Sequence, residues 1–419
     1  MAHALRAFRD VPYMGVIHVV AEAAKLGFTN GDPDWCNLGQ GQPEVGPIEG
    51  APPRIELMRL MAADQAYGPV GGTPELRQAV ADHYNRLYRE DSESRYTAAN
   101  VAIAAGGRLA LSRLIAVLGN GRVGYQTPDY TAYEDMLAYH THRLVPIHVA
   151  TGSENGFRVS PTRLRRSITE YRLDAHLMSN PCNPTGQVIE GSELQDYVQI
   201  ARDTGCALLL DEFYSHFIYR EDGAGADGPV SAARFVRDIE QDPVIIVDGL
   251  TKCFRYPGWR VGWSLGPAEI IERVVRAASA IDGGPPTAVQ RAALAVLSPE
   301  RADQESRALR LVFARKRAVM LEGLLCMGVK VAHASRGTFY IWGDISALPP
   351  PYDDAECLFR AALKERVIIV PGRFFDINPD GRRPRDPTFH HWVRFSFGPP
   401  QQNVQLGLRR LAQLVAASS

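Results

Sequence analysis

Four stretches of this 419-residue chain hold residue types that suit chemistry better than packing. In Asp248-Gly-Leu-Thr-Lys252-Cys-Phe-Arg-Tyr-Pro-Gly-Trp-Arg260-Val-Gly-Trp, a lysine follows a short apolar run and an arginine stands eight residues on. In Leu208-Leu-Leu-Asp211-Glu-Phe-Tyr214 an acid closes an apolar strand. Asn180-Pro-Cys-Asn183-Pro-Thr-Gly186 reads as a rigid turn, and Ala104-Ala-Gly106-Gly107-Arg108 sets glycines between a strand and a helix. Each alone has a plain structural reading. Glycine serves turn geometry, an acid at a strand end caps the next helix, Asn-Pro starts turns, and a lone lysine is solvated.

Together they meet the needs of one cofactor, pyridoxal phosphate. Its aldehyde needs a lysine amine to hold it as an imine, which Lys252 offers. Its ring nitrogen needs an acid to keep it protonated and electron-withdrawing. Asp211 fits, because an ionised carboxylate favours a nearby cation and a buried strand end shields the pair. Asn183 and Tyr214 can donate to the ring oxygen. The phosphate needs backbone N–H groups at a helix N-terminus and a fixed positive charge. Gly106, Gly107 and Arg108 offer the first and Arg260 the second. Lys252, once released, is free to shuttle the substrate's α-proton.

Over nearly its whole length the chain resembles the class I/II aminotransferases, pyridoxal-phosphate enzymes of fold type I. Asn37-Leu-Gly-Gln-Gly41-Gln-Pro-Glu44 is similar to their substrate-carboxylate loop. Tyr67-Gly-Pro-Val-Gly-Gly-Thr-Pro-Glu75-Leu-Arg77 resembles the motif whose tyrosine reaches the neighbouring subunit's phosphate. Pro128-Asp-Tyr130-Thr-Ala-Tyr133 resembles the element whose first tyrosine stacks on the cofactor. Arg394, in Trp392-Val-Arg-Phe-Ser-Phe, falls where the family binds the substrate α-carboxylate, and a guanidinium suits that planar group. The resemblance implies a homodimer with shared sites, acting on amino acids and 2-oxo acids. It also implies a side-chain pocket drawn from residues 13–17 (Ile17 among them), Tyr67 and residues 283–287, with Arg6 and Arg9 able to enter from the arm. No arginine in the sequence is committed to a second substrate carboxylate.

There are departures from the family pattern. Gly249 stands where many relatives carry a phosphate-binding serine, with Thr251 as a possible substitute. Arg108 replaces a neutral polar residue, and either adds charge near the phosphate or points to solvent. The long stretch 374–391, with Arg382, Arg383 and Arg385, reads as an exposed loop or as a lid for an acidic substrate. Transamination is the leading expectation. Elimination, replacement or ring closure, as in 1-aminocyclopropane-1-carboxylate synthase, starts from the same proton removal and is the alternative. A non-catalytic regulator is a poor fit, since every expected catalytic position is filled.

These residues need a scaffold that brings them together. Apolar runs at 101–104, 122–125, 143–147, 176–178, 207–210, 244–247 and 261–265 alternate with helical spacing, which predicts a mostly parallel sheet covered by helices. Helical periodicity fills 270–325, and strand-like runs recur at 329–331, 338–342, 367–370 and 392–397. The first fifty residues, rich in Gly and Pro, read as an arm with a short helix near 16–26. The expected α/β organisation is an arm at 1–50 contributing to a small domain, a large cofactor domain at 51–300 and the rest of the small domain at 301–419. A net charge of −1 gives no footing for nucleic acid. Six scattered cysteines without a C-x-x-C pair, and histidines without ligand spacing, predict neither disulfides nor a metal. No apolar run is long enough to span a bilayer, and residues 1–20 make a poor signal peptide, so a cytoplasmic protein is expected.

Overall fold

In the computed structural model, which describes residues 11, 13, 15–220 and 228–417, the apolar runs become twelve short strands. They are β1 (Cys36–Asn37), β2 (Val101–Ala104), β3 (Gly121–Gln126), β4 (Leu144–Val149), β5 (Ala175–Ser179), β6 (Ala207–Asp211), β7 (Val244–Gly249), β8 (Gly262–Leu265), β9 (Tyr340–Asp344), β10 (Val367–Ile368), β11 (Val370–Pro371) and β12 (Trp392–Ser396). Seven of them form one sheet in the order β2-β8-β7-β6-β5-β3-β4. Strands β3 to β7 pair in parallel, and β8 alone runs against both of its neighbours. Every residue of β2, β5, β7 and β8 is buried, so these strands are covered on both faces. Mostly apolar runs, without polar–apolar alternation, are what such double cover requires.

The inverted strand follows a connection that carries no α-helix. Between β7 and β8, residues 250–261 hold turns and a single 3-10 turn at Pro257–Trp259 but no α-helix to cross over the sheet, and the chain turns back beside β7 with Gly249 opposite Gly262. That loop carries Lys252. A Cβ on Gly249 would lie 2.5 Å from the Val261 carbonyl oxygen and 2.6 Å from Gly262 Cα. The neck therefore has no room for the serine that the resemblance leads one to expect there.

The second α/β segment is built from both chain ends. β1 pairs in parallel with β10, while β11, β12 and β9 form an antiparallel sheet. The single run expected at 367–370 divides at Ile369, because its two halves serve different sheets. The strand expected at 329–331 is reduced to one bridge, Lys330 with Asp344. The periodic region 270–325 resolves into helices Ala268–Ile281, Thr287–Val296 and Pro299–Cys326. The first break follows from Gly283 and Gly284, at φ +71° and +102°, and from Pro285 and Pro286, which lack an N–H.

Buried ion pairs lock the arm to the body. Arg255 pairs with Glu305 at 2.5 Å, and its guanidinium also donates to the carbonyls of Glu44 and Gly46. Lys316 pairs with Glu44 at 2.5 Å. Removing one partner of a pair this buried would strand the other charge.

Candidate active site

Parallel strands all point the same way, so the loops after them open along one edge of the sheet. There a cavity of about 930 Å³ gathers Gly107, Arg108, Tyr130, Asn183, Asp211, Tyr214, Thr251, Lys252, Arg260 and Arg394. Ile17 and Gly41 line it as well. These residues lie as far as 377 positions apart in sequence (17 to 394).

Lys252 projects from the β7–β8 loop and donates a hydrogen bond to the Gly41 carbonyl. Desolvation, then the positive charges of Arg394, Arg108 and Arg260, bring its amine down to about 7. An ordinary lysine stays charged to about 10.4. This one is poised to be a neutral nucleophile and a base close to neutrality.

Asp211 ends β6, fully walled in. Burial pushes its carboxyl up to about 6, opposed by donors from the Tyr133 hydroxyl at 2.9 Å and the Phe213 N–H at 3.3 Å, and by the Lys252 charge. A cationic partner would complete the compensation. Tyr133 belongs to the motif that supplied Tyr130, but its role as the donor to Asp211 was not legible there. Tyr133 lies on the helix Ala132–Ala138 after β3 and Asp211 ends β6, with β5 between the two strands, so only the assembled sheet brings the two side chains together.

The glycine turn after β2 leads into the helix Gly107–Val117, whose N-cap, Gly106, sits at φ +91° and offers no side chain to the first-turn N–H groups. A Cβ on Gly106 would fall 2.0 Å from the Arg260 guanidinium. Arg260 thus lies flat on the turn, its charge beside uncapped N–H groups, as an anion site requires. The Thr251 hydroxyl is buried at the same edge with no hydrogen-bond partner. An orphaned donor, bare helix N-terminus and guanidinium fit a phosphate, and the reactive amine and buried acid fit the rest of pyridoxal phosphate.

Opposite stands Arg394 on β12, 2% exposed. It donates to the Asn183 amide oxygen at 2.9 Å and to the Gly39 carbonyl at 2.8 Å, and lies 4.0 Å over the Tyr340 ring. Its buried Nε has no partner. Asn183 is held in a turn clasped by Asn180, whose side chain exchanges two 2.8 Å hydrogen bonds with the Ile189 backbone. The Tyr214 hydroxyl pairs with that of Tyr340 at 2.9 Å. Gly39 and Tyr340 were not singled out in the sequence, and a carbonyl acceptor leaves no sequence signal.

Arg108 lines the cavity and donates from Nε to the Tyr130 hydroxyl at 3.0 Å, so it faces the site and not only solvent. Tyr67 is fully exposed and does not line the cavity of its own chain. Two arginines of the 374–391 loop are engaged in ion pairs: Arg383 with Asp376 of the same loop at 2.5 Å, and Arg385 with Glu134 on the helix Ala132–Ala138 at 2.8 Å. Neither lines the cavity, nor does Arg382. The reading of this stretch as an arginine lid loses its support. Residues 1–10, with Arg6 and Arg9, and Met14 lie outside the described residues.

Residues 33–411 match the family model for aminotransferase class I and II. An aspartate/prephenate aminotransferase of Thermus thermophilus is 30% identical over 386 residues, covering 91% of each chain. A probable N-succinyldiaminopimelate aminotransferase of Mycobacterium tuberculosis is 30% identical over 395 residues, covering 90% of this chain and 92% of the relative. The solved aspartate aminotransferase from Thermus thermophilus with maleate superposes with a TM-score of 0.77 at 27% identity, over 99% of each chain.

Proposed function

The chain belongs to the aminotransferase class I and II family, and on that premise we propose that this cavity is its active site, with Lys252 as the catalytic base. The reaction is exchange of an amino group between an amino acid and a 2-oxo acid, with pyridoxal phosphate as cofactor. The relatives are named aminotransferases, which does not favour the elimination or ring-closing alternative.

Bound cofactor supplies an aldehyde that captures amines and a ring that draws electrons from the substrate's α-carbon. Lys252 would hold the aldehyde, Asp211 the ring nitrogen, Asn183 and Tyr214 the ring oxygen, and Tyr130 the ring face. Gly106, Gly107, Arg108, Thr251 and Arg260 would hold the phosphate. Arg394 then receives the substrate's α-carboxylate, beside Gly41, and Ile17 borders the side-chain space. Lys252, its amine brought down to about 7 and so partly neutral at that pH, would take the proton from the substrate's α-carbon. Tyr133 keeps Asp211 ionised, and the cavity walls keep water from competing. The observation that carries this reading is the convergence of Lys252, Asp211 and Arg394 on one cavity.

The small domain would comprise 1–50 and 301–419 and the large domain 51–300; the β1–β10 pairing supports the join between the two chain ends. A homodimer is supported by Tyr67, fully exposed, and by Leu57 and Leu60, 89% and 68% exposed on the preceding segment. Tyr67 would reach the partner's phosphate. Six unpaired cysteines support a reducing, cytoplasmic setting, and among the described residues no helix is long and apolar enough to cross a membrane.

The test is a spectral titration of cofactor-loaded protein with L-aspartate, L-glutamate, L-alanine and L-valine in turn. Conversion of the cofactor to its amine form, reversed by a 2-oxo acid, is the expected result and identifies the donor. Release of ammonia or a cyclic product without that conversion would overturn it.

A further inference from the structure

Asp129 lies outside the cavity wall, yet its hydrogen bonds reach both sides of the site. It follows β3, next to the end of β5, and its side chain is fully buried. Oδ1 accepts the Tyr130 N–H at 2.7 Å and the Ser179 hydroxyl at 2.5 Å, and the Ser179 N–H approaches Oδ2 at 3.4 Å. The Ser179 oxygen accepts in turn the Asn183 N–H at 3.1 Å, and Asn183 holds Arg394. The Asp129 N–H donates to the Phe375 carbonyl at 3.2 Å, and the Phe375 ring lies 5.1 Å from the Arg394 guanidinium.

We infer that Asp129 is a positioning residue of this active site, holding Tyr130 through one carboxylate oxygen and, by way of Ser179, the Asn183–Arg394 pair. The inference rests on the proposed reading of Arg394 as the α-carboxylate seat and Tyr130 as the ring face. The physical reason is economy of geometry. Tyr130 and Asn183 leave two adjacent parallel strands on separate loops, and loops drift unless tied. A single buried acceptor shared by both loops sets the stacking ring and the carboxylate clamp in one register. Displacement of a binding group by an ångström is enough to cost about 100-fold in rate.

Burial pushes the Asp129 carboxyl up to about 8, although the Ser179 and Tyr130 donors pull it down. Near neutral pH the side chain therefore acts largely as an uncharged acceptor, which asparagine can imitate. Three variants separate the two arms. Asp129→Ala cuts both, Ser179→Ala cuts the Asn183 arm alone, and Asp129→Asn keeps an acceptor for both.

Two quantities are measured in each: the dissociation constant of pyridoxal phosphate, from absorbance of the reconstituted protein, and the half-saturating concentration of L-aspartate, L-glutamate, L-alanine or L-valine, whichever the wild type accepts. Asp129→Ala should weaken the cofactor and raise half-saturation, each by about tenfold, the worth of one lost buried hydrogen bond. Ser179→Ala should raise half-saturation for every accepted donor by the same factor, since all share the α-carboxylate, and should weaken the cofactor less than Asp129→Ala does, since Tyr130 stays tied to Asp129. Asp129→Asn should restore both to within about threefold of wild type. If Asp129→Ala does not fold, Ser179→Ala decides alone: a uniform rise supports the inference and an unchanged value overturns it. Arg394→Ala tells two failures apart. A rise there with none in Ser179→Ala overturns the role of Asp129 only, whereas no rise in Arg394→Ala overturns the carboxylate seat and this inference with it.

Discussion

At the scale of single residues, the site is a set of charges whose environments shift them toward their tasks. The Lys252 amine, brought down to about 7, should react with an acylating reagent in cofactor-free protein with a pH midpoint near 7, well below that of surface lysines. The sign for stability follows from the same shift. Between about 7 and the unfolded value near 10.4 the unfolded chain binds the extra proton, so this group makes the cofactor-free protein more stable as pH rises through that window. A midpoint at the ordinary lysine value would remove the case for Lys252 as a base at neutral pH. Lys252→Ala should abolish the absorbance band of lysine-bound cofactor, and an unchanged band would defeat its assignment. Tyr133→Phe removes the hydroxyl that donates to Asp211, a bond to a charged group worth about 1.5–3 kcal/mol. Weaker cofactor retention, measured as a higher dissociation constant, is the expected result.

At the scale of elements, the hairpin of β7 and β8 is the feature on which the lysine depends. Its neck is two facing glycines, and Gly262 is closed in as well, a Cβ there lying 2.9 Å from the Gly106 carbonyl carbon and the Gly107 nitrogen. The neck and the phosphate turn are therefore packed backbone on backbone. Gly249→Ser, which would install the residue expected from the family pattern, should destabilise this chain by about 1–3 kcal/mol through overpacking. A denaturant melt checks it: an unchanged midpoint would mean that the neck opens to admit the side chain. The resemblance led to Thr251 as a substitute for that serine, and the Thr251 hydroxyl is buried without a hydrogen-bond partner.

At the scale of the whole molecule, the cavity is enclosed by parts from both ends of the chain and the middle. Cys36–Asn37 pair with Val367–Ile368, and Gly407 lets the helix Gln401–Ala416 approach that pair, since a Cβ there would meet Leu38 at 2.8 Å and Cys36 at 3.0 Å. Tyr67 stands apart from this enclosure, fully exposed. Sedimentation of the loaded enzyme should give a dimer, and Tyr67→Ala should weaken cofactor binding without unfolding the protomer. A monomer with full turnover would sink the role assigned to Tyr67.

The alternation of apolar runs with helical spacing carried the parallel sheet, because strands buried on both faces are mostly apolar and do not alternate. The residue types at 106–108, 183, 211, 214, 252 and 260 carried the cofactor, because each performs a task that few side chains can perform, and the resemblance added Arg394 for the substrate carboxylate. Periodicity said nothing of partners, so a single run at 367–370 concealed two strands and the run at 329–331 shrank to a bridge. The direction of β8, the space denied to a serine at 249, the ion pairs that engage Arg383 and Arg385 of the 374–391 loop and the bond from Tyr133 to Asp211 were decided by tertiary structure alone. Each depends on which distant backbone lies a few ångströms away, and that is fixed only when the sheet assembles.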